Sequence, residues 1–245
     1  MRLKHALVTQ GYDNLMADFI DSLPEGCRVE DDELGNYLVS KGVGKCPMFA
    51  VSLETQDKED PEFSIETLPK SLTIVAYQKD CKQITAIGGQ KVGLYIAHQI
   101  LKKAENVKIL IARKHSMPLF SIREDWEKDV KYIIGLDGAG EGLLYPALAG
   151  TPLVSPTFMQ MIEEATAKDK SWKIATEGAS DALAVTLKEL NFIPSALTIS
   201  VGILWKGTHS ECMSEKAVQS AVALCMSFLK NVVGDYPHDI YKLSA

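Results

Sequence analysis

The sequence WKIATEGASDALAVTLKELNFIPSALTISVGILWKGTHSE, residues 172–211, contains two strand-like segments separated by a polar loop and a helix-like segment. Residues 172–175 form a short, largely apolar segment, and residues 182–190 have apolar side chains at helical spacing. Pro194 prevents the helix from continuing, and residues 197–204 are apolar and β-branched enough for a strand buried on both faces. The stretch therefore predicts a βαβ unit with two parallel strands.

Two polar loops follow the predicted strands of this unit. The first loop contains Glu177, Ser180 and Asp181, and the second contains His209 and Glu211. Ser180 or Asp181 can also cap the predicted helix, because a short polar side chain accepts a hydrogen bond from an exposed backbone amide. In open parallel sheets ligands bind outside the carboxyl ends of the strands, so these five residues define a first candidate site.

The composition of the chain is that of an ordinary globular protein. It has 245 residues, of which 46% are apolar and 24% are charged, so a sizeable core can form. No internal repeat or linker interrupts it, which predicts a single α/β domain over residues 1–245. The 26 basic and 32 acidic residues give a formal net charge of −6, which argues against nucleic acid as a partner.

Membrane insertion and export are not predicted. The N-terminal segment lacks an uninterrupted apolar stretch, and Asp137 and Glu141 interrupt the apolar residues 132–149. The five cysteines are odd in number, widely spaced and without a CxxC pair, which does not favour a disulfide framework or a thiolate zinc site. We therefore expect a cytoplasmic protein without a membrane partner.

Hydrophobic periodicity predicts further elements along the chain. Helices are predicted over residues 5–23, 92–104, 156–168 and 214–232. Strands are predicted over residues 28–30 and 36–39 as a hairpin, 47–53, 72–77, 107–112 and 132–136. The acidic residues 58–66 are predicted to be a solvated loop. Together these elements predict a three-layer αβα sandwich around a mixed, mostly parallel sheet.

Polar or ionisable residues follow at least five of the predicted strands. They are Glu54, His115, Asp137, Glu177 with Asp181, and His209. Asp137 is predicted to follow its strand, at the start of a glycine-rich loop. Because the carboxyl ends of parallel strands meet at one edge of a sheet, this convergence indicates a ligand site better than any single residue does.

The order of several motifs resembles the co-catalytic zinc aminopeptidases of the zinc-exopeptidase superfamily, of the glutamyl or deblocking type. The motifs are DDELGNYLVSKG, PMFAVSLETQD, IGGQKVGLYIAHQILKK, VKILIARKHS, YIIGLDGAGEG, EGASDALAV and GTHSE, which span most of the chain. Family members usually carry an inserted domain after the first ligand motif, where this chain has only residues 55–88. The resemblance thus implies a zinc-exopeptidase-like fold without the inserted dimerisation domain.

The resemblance also implies two metal ions bridged by a carboxylate, which would activate water and hold a peptide carbonyl. Three of the matching positions have changed chemistry in this sequence. Glu54 replaces the first histidine ligand, Gly89 stands at the bridging aspartate, and Lys114 replaces the general base. Only Asp137 and His209 match their ligand positions. The paired metal site is therefore expected to be degenerate.

A single zinc or manganese ion could still be held by some of Glu54, His115, Asp137 and His209, which offer suitable oxygen and imidazole ligands. We expect at most one ion, and the absence of any ion is an open alternative. Each residue also has a purely structural role open to it. Glu54 can be solvated, His115 can pair with a nearby acidic residue, Asp137 can cap the glycine-rich turn, and His209 can bond a backbone carbonyl.

Two functional hypotheses follow. The favoured one is a non-catalytic binding or assembly scaffold, because three of five ligand positions have changed. The alternative is a divergent metal-dependent aminopeptidase or amide hydrolase acting on short peptides or acylated amines, with Asp137 and His209 as ligands and Glu177 or Glu54 as the base. Its substrate site would include Ser180, Asp181 and Glu211. A small peptide or amine ligand and a homo-oligomer are compatible with either hypothesis.

Overall fold

A computed structural model describes the greater part of the chain. It covers residues 1–2, 6, 12–54, 63–67, 73–78, 87–114, 122–148, 151–167, 169–175, 194–204 and 212–237. The helices are α1 (Tyr12–Asp21), α2 (Ile87–Lys103), α3 (Pro156–Thr166) and α4 (Glu215–Asn231), with a short 3-10 helix at Glu124–Glu127. In these ranges no helix is long and apolar enough to cross a membrane.

The strands are numbered in chain order. The first seven are β1 (Cys27–Asp31), β2 (Tyr37–Lys41), β3 (Cys46–Glu54), β4 (Phe63–Thr67), β5 (Thr73–Gln78), β6 (Val107–Lys114) and β7 (Val130–Ala139). The others are β8 (Leu143–Tyr145), β9 (Ala147–Leu148), β10 (Thr151–Pro152), β11 (Lys173–Ile174), β12 (Ala196–Leu204) and β13 (Cys212–Ser214). Strands β3, β6, β7 and β12 are long and form the centre of the fold.

One mixed sheet organises these strands. Its order is β1-β2-β6-β3-β7-β12-β13-β5-β4, with β8 beside β12 and β11 beside β8. The four central strands β6, β3, β7 and β12 are parallel, and the strands flanking them are antiparallel. Strands β9 and β10 pair only with each other among the described residues. The predicted α/β fold with a mixed sheet is confirmed.

The four helices contribute to one hydrophobic core on what we call the first face of the sheet. Alternate strand residues such as Val51, Leu136 and Ile199 point into this core, as the period of a β-strand requires. Phe158 of α3 and Phe228 of α4 pack against them and are fully buried. Burial of such side chains is the main source of stability, at about 1.5–3 kcal/mol for each.

The opposite surface, the second face, has a smaller core. It contains Met48, Leu110 and Ile133 from the central strands, covered by Trp126 of the 3-10 helix and by Leu153. The helix predicted over residues 182–190 lies outside the described residues. The connection from β3 to α2 contains strands β4 and β5.

The predicted βαβ unit at residues 172–204 is wrong. Strand β11 pairs in parallel with β8, and β8 pairs antiparallel with β12, so β11 and β12 run in opposite directions. The backbone amide of Ala175 donates to the carbonyl of Leu144 at 2.8 Å and fixes this arrangement. Both β8 and β11 are very short, and strand pairing between them leaves no periodic signal in the sequence.

Two local predictions also need correction. Residues 63–67 form β4, not a solvated loop, because they pair along their whole length with β5. Strand β7 does not end before Asp137 but continues to Ala139, since Gly138 pairs with Ser200 of β12. A β-carbon on Gly138 would lie 2.6 Å from the carbonyl oxygen of Ile199, so only glycine allows this close approach.

Candidate functional site

The carboxyl ends of the four parallel strands define one edge of the sheet, which we call the carboxyl edge. From β3 the chain passes through α2 to β6 on one side, whereas β7 lies on the other side of β3. The connections therefore diverge between β3 and β7. Such a topological switch point leaves a crevice at the carboxyl edge, which is where ligands bind in open α/β sheets.

Three candidate positions lie at this switch point. Glu54 ends β3 and is the register partner of Lys114, which ends β6. Asp137 lies in β7 two residues after Gly135, the register partner of Ala50 in β3. The structure describes the backbone of these three residues. Strand alternation assigns the positions of Glu54 and Lys114 to the second face, and Asp137 lies at an irregularity in the pairing of β7 with β12. Glu54 and Asp137, predicted to converge, are thus brought to neighbouring strands at one edge.

Near the carboxyl edge, the second face has small side chains in place of large apolar ones. We call Ser52, Ala112, Gly135, Thr198 and Ser200 the small-residue patch; its four residues with side chains have at most 3% of their surface exposed. The hydroxyl of Ser200 accepts a hydrogen bond from the Leu143 amide at 2.8 Å, whereas the hydroxyl of Thr198 is buried without a partner among the described residues. An orphaned buried hydroxyl costs stability and is uncommon away from functional sites.

Helix α2 approaches the same edge. A β-carbon on Gly93 would lie 2.2 Å from the carbonyl oxygen of Leu136, so the helix crosses β7 one residue before Asp137. Gly88, Gly89 and Gln90, where the resemblance has its bridging aspartate, lie in the first turn of α2. The helix N-terminus therefore occupies the expected position near the site without supplying a carboxylate.

Six predicted site residues lie outside the described residues and remain predictions. They are His115, Glu177, Ser180, Asp181, His209 and Glu211. Leu204 and Cys212, which flank the connection containing His209 and Glu211, are register partners in β12 and β13. The direction of β11 removes the argument that Glu177, Ser180 and Asp181 follow a strand parallel to β12.

Two residues at this edge differ from those that the resemblance implies for a paired metal centre. Lys114 is a cation where the resemblance has the general base, and Gly89 has no side chain where it has the bridging ligand. Within the described ranges no group of three or more histidine, cysteine, aspartate or glutamate side chains could hold a metal ion. A site for one ion would also need the histidines outside those ranges.

Sequence reasoning missed the small-residue patch and Arg113. The signal for the patch is present as alternation, because VSLE in β3 and LTIS in β12 place hydroxyl side chains between apolar ones. Arg113, the residue before Lys114, is half buried and lies over the ring of Tyr12 at 4.8 Å. No sequence signal identifies that contact, since the two residues are far apart in the chain.

The comparisons with known proteins give a result at the level of structure only. No protein-family model matches the chain, and no characterised protein matches its sequence significantly. Solved structures do match. Aminopeptidase PepT from Bacillus cereus is 11% identical, with a TM-score of 0.69 over 94% of this chain and 96% of that chain.

Two archaeal structures match as well. The TET1 peptidase of Pyrococcus horikoshii is 9% identical, with a TM-score of 0.61 over 93% of this chain and 99% of its own. Aminopeptidase APDkam598 from Desulfurococcus kamchatkensis is 11% identical, with a TM-score of 0.60 over 99% of this chain and 96% of its own. The chain therefore has the fold of these aminopeptidases, and the predicted resemblance to zinc-exopeptidase-like enzymes is confirmed at the level of fold.

Proposed function

We propose that this protein keeps an aminopeptidase fold as a non-catalytic scaffold that binds a short peptide or amine at the carboxyl edge. The observation that carries the proposal is the register pairing of Lys114 with Glu54 beside Asp137. Amide hydrolysis needs a base, an activated water and a Lewis acid for the developing oxyanion. A protonated lysine supplies none of these, and its charge opposes a divalent cation nearby.

The same three residues suit a zwitterionic ligand. Glu54 and Asp137 lie near the carboxyl ends of the neighbouring strands β3 and β7, and we propose that their carboxylates together receive the ammonium group of the ligand. Lys114 can bind a carbonyl or carboxylate oxygen of the same ligand. Charge-assisted hydrogen bonds of this kind are roughly twice as strong as neutral ones.

Calorimetric titration with the tripeptide Ala-Ala-Ala tests this arrangement. Glu54→Gln and Asp137→Asn should each weaken binding by about tenfold or more, since a hydrogen bond to a charged group contributes about 1.5–3 kcal/mol. Glu163→Gln, at an exposed position on α3, removes the same charge away from the edge and serves as the control. Equal affinities for all three variants and the unmodified protein would place the ligand elsewhere.

The alternative, a divergent metal-dependent hydrolase, is favoured by the position of Glu54 and Asp137 at a topological switch point. An assay with aminoacyl and N-acyl amides, with zinc, manganese or cobalt added, separates the two functions. The scaffold predicts negligible turnover. Efficient turnover that both Asp137→Ala and His209→Ala abolish without unfolding the protein establishes the hydrolase instead.

Metal content gives an independent measurement. Protein purified without chelator should contain at most one equivalent of zinc or manganese, because a bridging carboxylate is lacking. A chelator should scarcely change its Tm, since a ligand stabilises only the protein that binds it. Two tightly bound equivalents by elemental analysis contradict the degenerate site.

Assembly, domain count and location complete the proposal. The Pyrococcus horikoshii TET1 peptidase can assemble into a tetrahedron or an octahedral shell. We propose that this chain also forms a homo-oligomer. We further propose that residues 1–245 form a single domain and that the protein is cytoplasmic. Light scattering coupled to gel filtration measures the assembly directly, and a mass of one chain at micromolar concentration excludes it.

A further inference from the structure

The side chain and the backbone of Arg113, at the carboxyl edge, are both held by contacts with other elements of the fold. It precedes Lys114 in β6 and belongs to the first face, like Ile109 and Ile111 in the same strand. Its guanidinium carbon lies 4.8 Å from the centre of the Tyr12 ring in α1. A cation over an aromatic ring is held by the ring quadrupole, which fixes the direction of the arginine.

The turn between β1 and β2 holds the backbone of Arg113. Asn36 is 1% exposed, accepts a hydrogen bond from the Arg113 amide at 2.6 Å and donates to Asp32 at 2.5 Å. The hydroxyl of Tyr12 donates to the carbonyl of Gly35. Burial raises the pKa of Tyr12, so this hydroxyl stays protonated and keeps donating.

Gly35 leaves room for the arginine side chain. It has a φ of +86°, and a β-carbon there would lie 2.8 Å from Cδ of Arg113. Residues 33–36, which read ELGN, therefore help to position Arg113, because Gly35 and Asn36 both lie against it. Three elements, α1, the β1–β2 turn and β6, together position one guanidinium group.

No carboxylate neutralises this group in the part of the chain that the structure describes. The guanidinium of Arg113 makes no ion pair there, and its Nε is buried without a hydrogen-bond partner. Arg123 is the informative contrast, since it also lies over an aromatic ring, Trp126, at 5.5 Å. Arg123, however, donates two hydrogen bonds to Asp125, at 2.9 and 2.7 Å.

We propose that Arg113 binds a carboxylate of the ligand at the carboxyl edge, on the face of the sheet opposite Lys114. The inference rests on the proposed function, in that the ligand is the same short peptide. A guanidinium group presents a rigid fork of donors that matches a carboxylate, and an oriented arginine loses little entropy on binding. The peptide would then cross the carboxyl edge, with its amine at Glu54 and Asp137 and its carboxylate at Arg113 on the first face.

Nuclear magnetic resonance of the full chain tests the inference directly. The Nε–H signal of Arg113, assigned by its loss in Arg113→Lys, should shift progressively on titration with Ala-Ala-Ala. The C-terminal amide of the same tripeptide should bind about tenfold more weakly, because a charge-assisted bond is lost. If the acid and the amide bind equally, the inference is wrong while the proposed peptide-binding function stands.

Further probes identify the source of the carboxylate. Glu-Ala-NH2 carries its only carboxylate on a side chain, so stronger binding than Ala-Ala-Ala indicates recognition of acidic residues, and weaker binding indicates recognition of a chain end. Inorganic phosphate is the competing anion, and a larger shift with phosphate than with any carboxylate overturns the assignment. If the Nε–H signal responds to no anion, Arg113 is not an anion site.

Variants separate binding from folding. Arg113→Gln should lose about tenfold in affinity for Ala-Ala-Ala, whereas the matched Arg123→Gln, which removes an arginine of the same kind, should bind as the unmodified protein does. Gly35→Ala provides a second test, since it displaces the Arg113 side chain and keeps its charge. Dispersed amide spectra establish that each variant is folded. Full affinity in folded Arg113→Gln would refute the inference.

Discussion

The two faces of the central sheet differ along the length of the strands. On the first face β12 is apolar from end to end, with Leu197, Ile199, Val201 and Ile203 all buried in the core under the helices. On the second face the same strand begins with Ala196 and continues with Thr198 and Ser200, which are buried and polar. Neighbouring strands follow this pattern.

The difference separates stability from function. Each large apolar side chain buried on the first face contributes about 1.5–3 kcal/mol, and the small-residue patch gives up that contribution. A protein selected only for stability would fill the second face in the same way. The patch lies beside Glu54 and Asp137 at a topological switch point, and the ligand proposed for the carboxyl edge would account for its small side chains.

The largest expected effect is on the first face. Ile199→Ala should lower the free energy of unfolding by about 2–5 kcal/mol, because it leaves a cavity in a closely packed core. Urea denaturation measures this change. A loss below about 1 kcal/mol would mean that the first face can collapse around the gap, and the contrast between the faces would then disappear.

The contact between α2 and β7 should give the next largest effect. Alanine is favoured over glycine in a helix by about 1 kcal/mol, so Gly93→Ala would be stabilising in an isolated helix. Here the added β-carbon would lie 2.2 Å from the carbonyl oxygen of Leu136. We expect a net loss of about 1–3 kcal/mol in the free energy of unfolding. A gain in stability would show that α2 shifts freely on β7.

The central elements could be predicted from the sequence because each leaves a local signal. Strands β3, β6 and β12 are apolar segments with clear ends, and α4 has helical periodicity after the capping residue Ser214, whose hydroxyl accepts from the Ala217 amide at 3.2 Å. The convergence of Glu54 and Asp137 followed from the same signals, since both lie near the ends of parallel strands.

The remaining features depend on contacts between distant segments. Gly138 indicates a turn in the sequence, but in the structure its missing side chain allows β7 and β12 to pair beyond the irregularity at Asp137. Strand β11 is held in the sheet by pairing with β8, and β8 pairs with both β11 and β12. The contact between Arg113 and Tyr12 likewise depends on tertiary packing, which single-sequence periodicity does not report.

A smaller effect concerns pH and the first face. His98 in α2 is fully buried, its Nε2 lies 2.9 Å from the Ser22 carbonyl oxygen and 3.1 Å from the Met1 amine, and Phe19 packs against its ring. Burial lowers the pKa of His98. The hydrogen bond to Ser22 raises this pKa, but the positive charges of the Met1 amine and Lys102 lower it further, and the net shift is downward.

Acid should therefore weaken the fold through His98. The unfolded histidine has a pKa of about 6.5, so below that pH the unfolded chain binds a proton that the folded chain does not. Stability is fully present above this pKa and declines as the pH falls. Urea denaturation at pH 7.5 and 5.5 should show a smaller acid-induced loss for His98→Gln than for the unmodified protein. Equal losses would mean that His98 is protonated in the fold.

The smallest effect is expected on the second face, at Thr198. Its hydroxyl is buried and makes no hydrogen bond to the described part of the chain, so Thr198→Val replaces an unsatisfied polar group by a methyl group of similar size. We expect the free energy of unfolding to stay within about 1 kcal/mol of the original or to rise, although Ile199→Ala, one residue away, removes several times that amount. The two positions share a strand and are both fully buried, but they lie on opposite faces of the sheet. A loss of about 2 kcal/mol or more for Thr198→Val would show that the hydroxyl has a partner in solution, and the small-residue patch would then be a structural polar network with no room left for a ligand.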